Sequence, residues 1–137
     1  MAFVLDCSVT MAWVFPDEAS DSTGALRESL IQDKAVVPAL WPMEVANVLL
    51  VATRRGRISE EDWPRIRDAL EALPIDIEPE CCARVLHTVL PIATKHALSV
   101  YDAVYLELAL RLGLPLATLD QRLIAAGKAA GVDVLRL

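Results

Sequence analysis

The chain has 137 residues, 55% of them hydrophobic and 23% charged, and a net charge of −6. A single domain of this length buries a core without metal or disulfide staples, its composition excludes a disordered tail, and its acidity excludes a protein that holds nucleic acid by diffuse positive charge alone. The apolar fraction exceeds what a small monomer easily hides, so self-association or a permanent partner is expected.

The first predicted element is the apolar run "AFVL", which ends at Asp6. A helix follows Pro42 over "MEVANVLLVATRR" and closes at Gly56; Ser59 caps "EEDWPRIRDALEAL", which stops at Pro74, and the two helices form an antiparallel pair. "PECCARVLHTVLPIATKHAL" contains Pro91, which predicts two shorter helices rather than one. Ser99 caps the next helix, which Gly113 ends. The strand-like pieces "AFVL", "AVV", "IDI", "PLAT" and "VDVLRL" alternate with these helices, the pattern of an α/β domain around a parallel sheet. No linker, repeat or low-complexity tract interrupts residues 1–137, so one domain is expected. No stretch reads as a signal peptide or membrane span. Three cysteines, Cys7, Cys81 and Cys82, lack metal-ligand spacing, and their odd number fits a reduced, cytoplasmic protein.

Four acids stand out against apolar surroundings. Asp6 and Asp120 each follow a predicted strand, and open α/β sheets place their ligand crevice outside the carboxyl ends of the strands. Glu44 lies in the first turn of an otherwise apolar helix with Asn47 at i+3, and Asp102 opens another mostly apolar helix. Each has a plain reading as a helix cap or a dipole partner. If all four converge, their repulsion raises their pKa values unless cations neutralise them. An all-oxygen ligand set selects Mg²⁺ or Mn²⁺ rather than zinc, and such ions activate water and clamp phosphate oxygens. They also supply the positive charge that the composition lacks.

The ordered set "VLDCSV", "PMEVANVLL" and "YDAVYLELALRLGLPLATLD" resembles the PIN-domain nucleases, most closely the VapC-type toxins of type II toxin–antitoxin pairs. The resemblance spans nearly the whole chain. It implies an α/β/α sandwich around a parallel five-stranded sheet and a metal-dependent endoribonuclease site of Asp6, Glu44, Asp102 and Asp120. It further implies that Ser8, Asn47 and Thr118 hydrogen-bond the acids or bound water, and that the protein is a homodimer blocked by a cognate antitoxin. Cys7 stands where similar sequences often carry Ala or Thr; with no histidine to partner it, it reads as buried filler.

The one compact cationic cluster, Arg54, Arg55 and Arg57, ends the Glu44 helix; dipole compensation explains it, and contact with RNA is the functional alternative. Trp13, Trp41 and Trp63 read as core or interface anchors. Two other functions stay open at this level. A phosphatase of the haloacid-dehalogenase type also has an aspartate after its first strand, but Ser8 occupies the place of its second acid. A non-catalytic binding module would use the acids to dock an Arg-rich segment.

Overall fold

The computed structural model describes residues 1–137. In chain order the elements are β1 (Ala2–Leu5), α1 (Cys7–Val14), a 3₁₀ turn (Pro16–Glu18), α2 (Asp21–Ser29), β2 (Lys34–Pro38) and α3 (Trp41–Arg54). A second 3₁₀ turn (Glu60–Asp62), α4 (Trp63–Glu71), β3 (Ile75–Glu78), α5 (Cys82–Arg84), a π turn (Val85–Val89) and α6 (Leu90–His96) follow. The chain then forms α7 (Val100–Leu112), β4 (Leu116–Ala117) and α8 (Gln121–Ala129).

The sheet has the order β3-β2-β1-β4, with every pairing parallel. From β1 the chain steps to β2 and β3 on one side and returns with β4 on the other. The β1–β4 boundary is therefore the topological switch point, and the crevice beyond the carboxyl ends of these two strands is where such sheets bind ligands. Phe3, Val4, Leu5, Val37 and Leu116 are at most 1% exposed, so the sheet centre is covered on both faces, as continuous apolar strands require.

Four strands form where five were expected. The "VDVLRL" segment contributes only a single parallel bridge, Leu116 to Val134. β4 explains this: the carbonyls of Pro115 and Ala117 accept from the N–H groups of Val4 in β1 and of Asp6 just after it, which leaves Leu116 alone facing outward. Its N–H donates to Asp133 O and its carbonyl accepts from Leu135 N–H, after which no ladder remains to extend. Gly127 of α8 lets this segment close in, since a Cβ there would lie 2.8 Å from Val134 Cγ2.

The helix around Pro91 also differs from expectation. α5, the π turn and α6 run on without interruption, and the N–H of Leu90 donates to the carbonyl of Val85. The wider turn absorbs the missing donor and ring bulk of Pro91, which an unbroken α-helix does not. The expected starts of α3 at Pro42 and of α7 at Ser99 stand, with Ser99 Oγ accepting from Asp102 N–H at 3.1 Å. Trp41 is buried and Trp13 and Trp63 are half-buried; their indole N–H groups donate to Thr10, to the Thr23 carbonyl and to Thr53 respectively, as structural anchors do.

Candidate functional site

Asp6 is the last residue before α1, yet its side chain makes no capping bond to that helix. It is instead 6% exposed, and its Oδ2 accepts from Ser8 Oγ at 2.6 Å and from Thr118 Oγ1 at 2.8 Å. Each hydroxyl in turn accepts a backbone N–H from the β4–α8 turn: Leu119 N–H to Ser8 Oγ at 3.0 Å, and Asp120 N–H to Thr118 Oγ1 at 3.1 Å. Two relays thus lock the Asp6 carboxylate to the turn that carries Asp120. Both land on Oδ2, so Oδ1 receives no side-chain donor.

Asp120 does cap its helix, with Oδ1 accepting from Leu123 N–H at 2.9 Å, but the residue is exposed and Oδ2 is spare. Glu44, half-buried on α3, accepts from Tyr105 Oη at 2.5 Å through Oε1. α7 carries both Asp102, in its first turn, and Tyr105 one turn later. Tyr105 is a site residue that the sequence reading passed over, although a tyrosine at i+3 from an acid on a buried helix was the available signal.

The acids feel one another. Burial raises the Asp6 pKa, against the pull of Ser8 and Thr118. Burial likewise raises Glu44, and the charges of Asp6 and Asp102 add to it against the Tyr105 bond. Asp102 is raised by burial and then by Asp120 and Asp6, with Ser99 and Arg122 opposing. Tyr105 is pushed far above its ordinary range by burial and by Glu44, so it remains a proton donor. Cys7, 7% exposed, is pushed up to about 12 by burial and by Glu44 and Asp6; it stays a thiol, which matches a filler and not a nucleophile.

No three metal-ligating side chains lie close enough to enclose an ion as they stand. The chemistry of the donors fits a hard divalent cation nonetheless: the donors are oxygens, Asp6 Oδ1 and Asp120 Oδ2 are open, and the carboxylates repel one another with Arg122 the one opposing cation. Asp6, Glu44, Asp102 and Asp120 would hold it.

Of the remaining expected residues, Ser8 and Thr118 meet at Asp6, whereas Asn47 is exposed beside Arg55 and Arg57, along a cavity it shares with Val51. Arg57 is spoken for: it pairs with Asp17 at 2.7 Å and Glu18 at 2.8 Å, and its guanidinium lies 3.8 Å from the Phe15 ring centroid. Arg54 and Arg55 are exposed at the end of α3.

The PIN domain profile matches residues 3–129. Ribonuclease VapC3 of Pyrobaculum aerophilum is 32% identical over 123 residues, covering 90% of this chain and 92% of the relative. Ribonuclease VapC1 of Mycobacterium tuberculosis is 35% identical over 125 residues, covering 88% and 90% respectively. The crystal structure of PAE2754 from Pyrobaculum aerophilum superimposes with a TM-score of 0.66 at 26% identity, over 92% of this chain and 87% of that one. FitAcB from Neisseria gonorrhoeae, at 18% identity and a TM-score of 0.67 over 99% and 97%, shares the fold. With a buried aspartate at the switch point, three further acids around it and this likeness along nearly its whole length, the chain belongs to the PIN-domain family, in its VapC-type branch.

Proposed function

We propose that this protein is an endoribonuclease that depends on Mg²⁺ or Mn²⁺ and acts as the toxin of a toxin–antitoxin pair. One observation carries the reading: Asp6 and Asp120 leave adjacent parallel strands at the switch point, and Glu44 and Asp102 are near enough to share their electrostatic field. The ribonuclease names of the curated relatives support it.

In this mechanism Asp6, Glu44, Asp102 and Asp120 would hold the cation. When bound, the cation supplies positive charge to the phosphodiester and to the water that attacks it. Ser8 and Thr118 fix the bearing of Asp6, and the Asp120 cap fixes the β4–α8 turn, so these two acids are oriented in advance, while the four would still have to draw together around an ion. Arg54 and Arg55, exposed at the end of α3, are the cations this reading assigns to RNA phosphates; Arg57, committed to Asp17 and Glu18, braces α3 against the segment after α1. The phosphatase alternative weakens here, since Ser8 donates to Asp6 where that chemistry requires an acid.

The reading includes a cognate antitoxin and a homodimer, both cytoplasmic. Exposed apolar side chains including Ile77, Leu86, Leu90 and Tyr101 are surface that such partners would cover. No helix is long and apolar enough to cross a membrane. The test is cleavage of a panel of structured RNAs with added Mn²⁺ or Mg²⁺. Divalent-dependent cutting is expected, with Asp102→Asn slower by about 100-fold or more, the scale set by losing one electrostatic stabiliser of the transition state. Equal behaviour of wild type and variant removes the nuclease reading.

A further inference from the structure

We infer that Tyr105 is the positioning residue for Glu44, holding that carboxylate in the orientation in which the crevice takes its divalent cation; the inference rests on the metal-dependent reading above. A glutamate carries its carboxylate on a longer and freer stem than an aspartate does, so Glu44 is the acid most in need of a tether. Two of the other acids have theirs: Asp6 is held by Ser8 and Thr118, and Asp120 by its bond from Leu123; Asp102, on the shorter stem, sits in the first turn of α7 with its backbone N–H bonded to Ser99 Oγ. For Glu44 the tether is the single phenol O–H of Tyr105, received at Oε1, which leaves Oε2 for the crevice.

Packing alone does not account for that hydroxyl. Tyr105 is 0% exposed, in the main core cluster, where a phenylalanine ring fills the same space. A hydroxyl in that setting is costly unless it is bonded, and the partner it has is Glu44, sixty-one positions away on α3. The bond also joins two helices that bring acids to the crevice. α7 supplies Asp102 and, one turn later, the donor that aims the acid of α3, so any shift of α7 against α3 moves Glu44 and Asp102 together. Tyr105 does not touch the ion. Outer partners of this kind orient metal ligands, and removing them typically weakens metal affinity by about 10–100-fold.

The test is titration calorimetry of Mn²⁺ into the metal-free full-length protein, for wild type, Tyr105→Phe, Glu44→Ala and the double variant, with the melting temperature of each recorded. Tyr105→Phe keeps the ring, so it is expected to melt within a few degrees of wild type while binding Mn²⁺ about tenfold more weakly. Glu44→Ala is expected to weaken binding at least as much, and adding Tyr105→Phe to it to cost no further affinity, because the residue being positioned is gone. Wild-type affinity in Tyr105→Phe overturns the inference, as does an equal loss from Tyr105→Phe with and without Glu44, which marks an effect through the fold. A wild type that binds no Mn²⁺ overturns the metal reading itself, and this inference with it.

Discussion

A carboxylate as enclosed as Asp6 is expensive to keep ionised, and the hydroxyls of Ser8 and Thr118 offset part of that cost. An amide at the same place accepts the same two hydrogen bonds through its oxygen and carries no charge. Asp6→Asn is therefore expected to raise the melting temperature of the metal-free protein by a few degrees, on the order of ~1 kcal/mol, while abolishing any stabilisation by Mn²⁺. A thermal-shift series with and without Mn²⁺ checks both halves, and a variant less stable than wild type without metal contradicts the account. Asp6 and Asp120 were legible in the sequence because an apolar run that stops at an acid signals a strand's exit. Asn47 was expected at the site from its place three residues after Glu44 and from the family resemblance; the structure has it exposed beside Arg55, since three residues along a helix do not fix which way a side chain faces. Pairings such as Arg57 with Asp17 or Tyr105 with Glu44 span 40 and 61 positions, and nothing local in the chain announces them.

The elements were legible to the extent that they are set by local signals. The caps at Ser59 and Ser99 and the glycine end of α7 are of this kind, with Gly113 in the left-handed region at φ 65°. The fifth strand and the break at Pro91 were misjudged because each depends on a neighbour: β4 is too short to pair further, and a π turn absorbs the proline. α7 shows the same limit in its core. Its residues from Ala103 to Ala109 are buried, Glu107 among them at 3% exposed, with Oε1 bonded to Arg111 Nε at 2.8 Å and Oε2 without a partner. Removing one side of such a pair strands the other, so Arg111→Ala is expected to destabilise by about 3 kcal/mol. Glu107→Leu removes the buried charge, while Arg111, near Glu78 at 3.9 Å and partly exposed, keeps an outlet; this change is expected to be neutral or stabilising by about 1 kcal/mol. Urea unfolding of the two variants tests the asymmetry, and equal losses contradict it.

Across the molecule, four of the 19 acidic residues face the crevice beyond the carboxyl ends of β1 and β4, and without a cation the fold bears the consequence. A carboxyl whose folded pKa lies above its unfolded value opposes folding at neutral pH, and that opposition is relieved as pH falls through the folded value. Asp6, Glu44 and Asp102 are of this type, raised from ordinary values of 3.8, 4.5 and 3.8. Asp17 and Asp62 act the other way: Arg57 lowers the first and the Ser59 backbone the second, so their support is lost only as pH falls below the ordinary 3.8. As pH falls from neutrality toward the ordinary carboxylate range the raised group governs, and the metal-free protein is expected to melt at a higher temperature as the solution is acidified. Bound Mn²⁺ inverts this, because it needs the carboxylates deprotonated; its stabilising increment should be largest near pH 7 and shrink toward pH 5. Melting curves at stepped pH with and without Mn²⁺ should therefore converge from opposite slopes. A metal-free curve that is flat or falls on acidification over that interval means that burial, with the repulsion added to it at Glu44 and Asp102, does not hold these carboxyls above their ordinary values, and the site loses its electrostatic basis.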